Sequence, residues 1–229
     1  MLKRRRGIEI LDDENVDPKV MIRSMHDVER ANKIFGGADA ALHEIEAALA
    51  TLPKCATLLD VGTGTADIPA LARPLAQKHG ITLRTIGFDV SPTLLEHFRN
   101  RHDSVVLGDA LLLPFSDASV DIVTCSQVLH HFRDADAQRL IIEMNRVARS
   151  CVVISDLRRS IVAAGGLWLA SFVLKFHPVS RHDGVVSVMR GFTPHELGKL
   201  VSSAIGKNPA VNRRRGFRIT TSWKPVHTR

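Results

Sequence analysis

Cysteine is scarce in this chain of 229 residues and tyrosine is absent; aromatic residues make up 5%. Cys55, Cys125 and Cys151 are too few for a disulfide framework. Cys125 and Cys151 sit in apolar runs, the setting of buried thiols in a reducing compartment. No CxxC or HExxH spacing occurs, so no metal site is expected. The shortage of aromatics removes the base-stacking platforms that a single-strand nucleic-acid binder uses. The longest apolar run, residues 161–174, falls short of the ~18–20 residues that cross a bilayer. Internal repeats and low-complexity tracts are also missing.

What remains is the composition of an ordinary globular protein, with 45% hydrophobic and 24% charged residues, and a formal net charge of +7. The length suits one domain with a full core, or a domain with a small N-terminal cap. Lys3-Arg4-Arg5-Arg6 is followed by Asp12, Asp13 and Glu14 where a secretory leader would be apolar, and a cytoplasmic protein is expected. That basic cluster and Arg213–Arg215 read as solvated charge rather than as a nucleic-acid footprint.

Asp17-Pro18 supplies an N-cap and a proline at the first helical position. The helix that follows carries Met21, Met25, Val28, Ala31 and Phe35 at helical spacing and ends at Gly36-Gly37. A second helix is expected over 39–52, and residues 1–53 are expected to form a basic tail and helical cap. Strands then alternate with helices: strands over 57–61, 83–89, 104–108, 120–126 and 151–155, helices over 67–78, from Ser91-Pro92, and over 134–149. The helix at 134–149 places Leu140, Ile141, Met144, Val147 and Ala148 on one face. Residues 160–176 are apolar all round, and a polar stretch, Ser180 to Gly184, reads as a loop. Thr193-Pro194-His195-Glu196 is a capping box that opens another helix, and residues 210–223 hold two final strands. The expectation is an α/β fold: a doubly wound, mainly parallel, seven-stranded sheet over residues 54–229, with a substrate-covering insertion at about 157–192.

The chemistry is concentrated where strands end. Leu58-Leu59-Asp60-Val61-Gly62-Thr63-Gly64-Thr65-Ala66-Asp67 runs an apolar strand into an acid and a glycine turn. Open parallel sheets bind ligands beyond the carboxyl ends of their strands, and glycines let the backbone approach closely. A dinucleotide fold would place its third glycine at position 67, which is Asp67 here. A pyrophosphate at this turn would face two carboxylates, whereas a ligand with an ammonium and a sulfonium would be attracted. Asp89 is placed to accept from both hydroxyls of a ribose, with Val90 beside it, and Asp109 from an adenine amine, with the Ala110 N–H for a ring nitrogen. One acid per donor group of an adenosyl amino acid points to S-adenosylmethionine.

With those residues in view, the chain resembles the class I S-adenosylmethionine-dependent methyltransferases of small-molecule type, and is similar to the ubiquinone/menaquinone methyltransferases. The stretch from Leu59 to Ala66 matches the glycine signature, Asp89 the ribose acid, Gly108-Asp109-Ala110 the adenine segment, and residues 121–132 the fourth-strand segment with its trailing histidines. The resemblance covers residues 57–156 and departs at Ala66, where the family often has glycine. It implies a Rossmann-like fold, S-adenosylmethionine as methyl donor and S-adenosylhomocysteine as product, with Asp60, Gly62, Thr63, Gly64, Asp89, Val90, Asp109, Ala110 and Ser126 as cofactor residues.

His130 and His131 follow the fourth strand and are expected at the methyl end of the cofactor, where a phenol or an acidic carbon benefits from a base of near-neutral pKa. His131 is preferred of the two, and His182 beside Asp183 is a further candidate base. Arg158, Arg159, Arg181, Asp183 and Arg190 lie where this fold places substrate-contacting segments, with Trp168 and Phe172 on the apolar stretch, which is suited to covering an apolar substrate or meeting a membrane surface. The expected reaction is methyl transfer to an oxygen or carbon of an apolar, aromatic or polyketide-like small molecule. The competing readings are an RNA or protein methyltransferase and a non-catalytic cofactor-binding partner subunit. Against amino-group methylation, the residues beyond the fourth strand read Ser126-Gln127-Val128-Leu129 and carry no NPPY-like motif.

Overall fold

A computed structural model describes residue 4 and residues 7–13 and 15–226. Of the basic N-terminal cluster, Lys3, Arg5 and Arg6 lie outside the described residues, as does Glu14. Two helices precede the sheet, α1 (Pro18–Phe35) and α2 (Gly37–Leu49). The start of α1 follows from its sequence: the Asp17 carboxylate accepts the Lys19 N–H at 2.7 Å, and Pro18 occupies the first turn. Gly36, at φ 71°, ends it in the left-handed conformation that glycine adopts at no steric cost.

From there the chain alternates: β1 (Cys55–Val61), α3 (Asp67–Lys78), β2 (Thr82–Asp89), α4 (Pro92–His97), β3 (Ser104–Leu107), β4 (Val120–Ser126), α5 (Asp134–Val147) and β5 (Ala148–Leu157). Then come α6 (Ile161–Val173), α7 (Pro178–Arg190), α8 (Pro194–Ile205), β6 (Val211–Arg214) and β7 (Arg218–Trp223). The seven strands form one sheet in the order β3-β2-β1-β4-β5-β7-β6. Only β7 runs against its neighbours, pairing antiparallel with both β5 and β6. The sheet is thus the mixed, mostly parallel one expected, with helices on both faces.

Strands buried on both faces need two cores. One lies under α5 and α8, around Leu59, Val123, Leu140, Met144, Val152 and Leu197. The other packs α2 and α3 onto the opposite face, bringing Ile45 and Leu49 against Leu58, Ile68, Ile122 and Val153. Cys125 is buried, Cys151 partly so, and Cys55 is exposed.

One expectation is corrected: residues 180–184 are not a loop but the first turns of α7, where Gly184 lets Leu167 of α6 approach closely. The apolar stripe of α1, Met21, Met25, Val28, Ala31 and Phe35, lines a cavity over the sheet, with Met21 and Met25 also packed against Ala66, Leu94 and Phe98, while α1 buries Ser24, Asp27 and Asn32.

Candidate active site

Strand order reverses between β1 and β4, so the loops after them part and leave a crevice at their carboxyl ends. The turn after β1 is wound by three left-handed residues, Gly62 (φ 69°), Gly64 (φ 50°) and Ala66 (φ 58°). A side chain at Gly62 would collide with Val128, and one at Gly64 with Met25, so the turn is closely roofed. The N–H groups of Gly62 and Thr63 donate to the Phe88 carbonyl at 2.8 and 3.0 Å, locking this turn to β2. Across it, the Asp89 carboxylate accepts from Gly64 N–H at 3.0 Å and from Ser91 N–H at 2.9 Å.

The crevice opens into a cavity of about 770 Å³. Gly62, Thr63, Gly64, Asp89, Val90, Asp109, Ala110 and Ser126 all lie in its wall, so the structure brings together every expected cofactor residue but one. Asp60 stands behind the turn, 2% exposed, accepting the Thr63 hydroxyl at 2.8 Å. Burial pushes its pKa up to about 8, helped by the nearby Asp67 and Asp89. Burial likewise raises Asp67 and Asp89, which do face the cavity. Buried carboxylates held at raised pKa regain stable ionisation when a cation arrives. Asp109 is exposed and takes the Leu111 N–H at 2.9 Å, and the Ser126 hydroxyl is buried without a partner.

Sequence reasoning passed over a polar chain beside this turn. Asn32 of α1 donates to Asp67 at 3.0 Å and accepts from Gln127 at 2.8 Å and from Arg218 at 3.4 Å. Arg218 is a buried guanidinium at the start of β7, its pKa lowered to about 10 by burial, with Nε unpartnered. No local signal marks it; only the antiparallel return of β7 carries it to the cavity.

The histidines after β4 differ in kind. His130 Nδ1 lies 2.7 Å from Asp156 Oδ1, and the His130 backbone N–H donates to Asp156 Oδ2 at 3.0 Å. Burial acts to raise Asp156, but the charge and hydrogen bond of His130 outweigh it and hold it below the usual carboxylate range. The other ring nitrogen, His130 Nε2, is buried without a hydrogen-bond partner among the described residues. His131 is only partly buried, and its Nδ1 lies 2.9 Å from Asp12. Burial would lower its pKa, but the Asp12 hydrogen bond and the charges of Glu9 and Asp12 raise it.

Asp12 belongs to a strap, residues 7–13, of which Glu9, Leu11 and Asp12 line the cavity. The Asp183 carboxylate accepts from the N–H groups of Ile10 and Leu11, both at 2.9 Å, and Arg190 donates to Glu9 and Asp12, both at 2.8 Å. Glu9 stands 3.9 Å from both His130 Nε2 and His131 Nε2. Glu9, His130 and His131 thus place three ligand-type atoms within 4.8 Å of one another. Glu9 is already taken by Arg190 and His131 by Asp12, so the cluster is an internally paired ion network.

The residues expected to touch substrate separate. Asp183 reaches the cavity wall, where it ties down the strap. His182, one residue earlier on α7, turns outward and is exposed, its Nδ1 2.7 Å from Asp183, because adjacent helix residues point about 100° apart. Arg181 lies 3.7 Å over the Phe172 ring, and Trp168 is exposed on the far side of α6. Arg158 stacks on Phe217 and faces a separate, smaller cavity with Arg159, His195 and Arg213. Arg181, His182, Trp168 and Arg158 therefore stand off the wall of the main cavity.

Residues 59–153, from the core of β1 to β5, match the family described as "Methyltransferase domain". Over that segment the chain is similar to a methyltransferase domain. Among curated proteins, the chain is similar to a demethylmenaquinone methyltransferase of Roseiflexus sp. (strain RS-1), 33% identical over 138 residues, 56% of each chain. One from Deinococcus radiodurans is 33% identical over 117 residues, 48% of this chain and 46% of that protein. The chain thus spans about half the length of the curated relatives it matches. Of solved structures, human N-acetylserotonin methyltransferase in complex with SAM superposes with a TM-score of 0.63 at 12% identity, over 92% of this chain and 57% of that one. A possible histamine N-methyltransferase from Thermotoga maritima superposes at 0.58 and 16%, over 91% of this chain and 99% of the other. At such identities the likeness shows the fold.

Proposed function

We propose that this chain binds S-adenosylmethionine in the polar half of the cavity and moves its methyl group to an oxygen or carbon of an apolar small molecule held in the other half. One observation carries the reading: a single cavity joins the carboxylate-lined glycine turn to an apolar chamber of Met21, Met25, Val28, Phe35, Leu167 and Phe176, with His130 also in its wall.

When bound, S-adenosylmethionine supplies an electrophilic methyl on a sulfonium, whose departure leaves neutral S-adenosylhomocysteine. Asp89 keeps lone pairs free beyond its two backbone donors and would hold a ribose diol, and Asp109 and Ala110, in the same wall, would hold the adenine. Asp67 offers charge to the ammonium, and Arg218 a guanidinium to the carboxylate. Asp60, off the wall, holds Thr63 and shapes the turn. His130 Nε2 takes the acceptor's proton, and Asp156 stabilises the imidazolium that forms. This role falls to His130 rather than His131, because His130 Nε2 is buried without a hydrogen-bond partner, whereas the His131 ring is tied to Asp12. The apolar chamber excludes water and aligns the acceptor with the S–CH₃ axis, the main task in an in-line displacement.

Calorimetry with S-adenosylmethionine and S-adenosylhomocysteine tests the cofactor, and a screen of apolar phenols and enolisable carbon acids tests the acceptor. Absence of binding by either cofactor form overturns the reading.

A further inference from the structure

Helix α6 is built inside out. Its thirteen residues, IVAAGGLWLASFV, include no charge. The side turned inward carries Ala164 and Ser171, while Ile161, Val162, Trp168, Leu169, Phe172 and Val173 are 46–79% exposed. With Gly165 and Gly166, every exposed position of the helix is apolar. At 100° per residue these eight positions fill one continuous arc of the helix. Single exposed hydrophobes are ordinary, but a contiguous face of them on a surface helix marks a surface that something covers.

We propose that this face docks on a lipid bilayer that carries anionic headgroups, with α6 lying in the plane of the interface. Three observations select that occupant. The same helix is a wall of the cavity: Val162 and Gly166 are exposed and also line it, so the chamber opens along the apolar face. An apolar molecule entering there leaves one apolar phase for another without crossing water. The composition of the face is interfacial, with Trp168 edge-on to Phe172 at 4.9 Å between ring centres. And cations flank its C-terminal end: exposed Lys175, Arg30 donating to the Leu174 carbonyl at 3.0 Å, and Arg181 over Phe172. A second copy of the chain seated on this face would cover Val162 and Gly166, where the cavity reaches the surface. The entry route rests on the apolar acceptor proposed above, whereas the exposed apolar face and its flanking cations do not.

The test is co-sedimentation of the full chain with vesicles of phosphatidylcholine, with and without phosphatidylglycerol, read together with tryptophan emission. Binding to the anionic vesicles is expected, with a blue shift that Trp168→Phe removes, because the other tryptophan, Trp223, is buried. Each of Arg30→Gln and Lys175→Gln should weaken binding about fivefold. The pair Leu169→Glu and Val173→Glu should abolish it while the circular dichroism spectrum and melting temperature stay at the wild-type values, which shows the fold intact. No partition onto anionic vesicles, or partition that the Glu pair leaves unchanged, overturns the proposal. So does a dimer by light scattering that the Glu pair dissociates.

Discussion

His130 and Asp156 meet at 2.7 Å with side chains 2% and 0% exposed, one from the turn after β4 and the other near the end of the adjacent, parallel β5. Because Ser126 pairs with Ser155 in register, the residue after Ser155 and the turn after Ser126 are forced to the same end of the sheet. Sheet register thus brings the turn beside Asp156, and the His130 N–H bond to Asp156 Oδ2 at 3.0 Å holds it there.

His130→Ala should lower methyl transfer to a hydroxyl acceptor roughly 100- to 10,000-fold, the usual worth of a positioned base. Asp156→Asn should give a smaller loss in kcat, since the amide no longer stabilises the imidazolium. Cofactor affinity by calorimetry should hold in both. A His130→Ala protein with wild-type turnover would remove the base assignment.

Asp89→Asn keeps the shape of the side chain but removes the charge and an acceptor. Hydrogen bonds to a charged group contribute about 1.5–3 kcal/mol, so S-adenosylmethionine affinity should fall roughly 10- to 100-fold, with circular dichroism unchanged. An unaltered dissociation constant would contradict the ribose role.

The strap should hold best at intermediate pH. Burial acts to raise Asp12, but hydrogen bonds and charges from His131 and Arg190 lower it to about 2. A depressed acid contributes stability above its ordinary 3.8 that is lost as pH falls through about 2. His131 is raised, so its contribution is complete below its ordinary 6.5 and fades as pH climbs through the raised value. Amide exchange of Ile10 and Leu11, corrected for intrinsic rate, should speed up above neutrality and lose that dependence in Asp12→Asn. Equal protection from mildly acid to alkaline pH would refute the linkage.

Ala66 is fully buried at φ 58°. The left-handed conformation costs a non-glycine residue about 1–2 kcal/mol, so Ala66→Gly should leave the melting temperature unchanged or raise it. Ala66→Val adds a β-branch at positive φ in a closed space and should lower it by several degrees. A stable Val variant would mean that the turn relaxes.

Glu44 of α2 is held by Arg214 and Ser222, each at 2.7 Å, and by Thr220. Burial acts to raise its pKa, but these partners bring it to about 2. Glu44→Ala should cost about 2–3 kcal/mol in urea unfolding at neutral pH, by leaving Arg214 and the Thr220 and Ser222 hydroxyls unpaired. A cost near zero would show that water replaces the carboxylate.

Legibility in the sequence tracked locality. Asp17-Pro18, Ser91-Pro92 and the Thr193–Glu196 box each sit at an observed helix start, because caps and first-turn prolines act within a few residues. The wall formed by Gly62, Asp89 and Asp109 was readable because each residue ends a strand whose hydrophobic run announces it. Asp156 was not, since a strand-end acid gains its meaning from a histidine 26 residues earlier, across a strand pairing. Arg218 needed the reversed direction of β7, and the strap needed contacts from residue 10 to residue 183. The polar run from Ser180 to Gly184 hides a helix, because its glycine serves close packing on Leu167.

The placement of α2 bears on how this chain can be divided. Ile45 and Leu49 fill the sheet face made by Leu58, Ile122 and Val153, and Glu44 anchors the helix to β6 and β7. A polypeptide starting at residue 54 would hold every residue of the matched segment 59–153, yet it would present a bare apolar sheet to water. Such a fragment should precipitate or self-associate. The helices ahead of β1 are thus as much a part of the folding unit as the strands that bear the glycine turn.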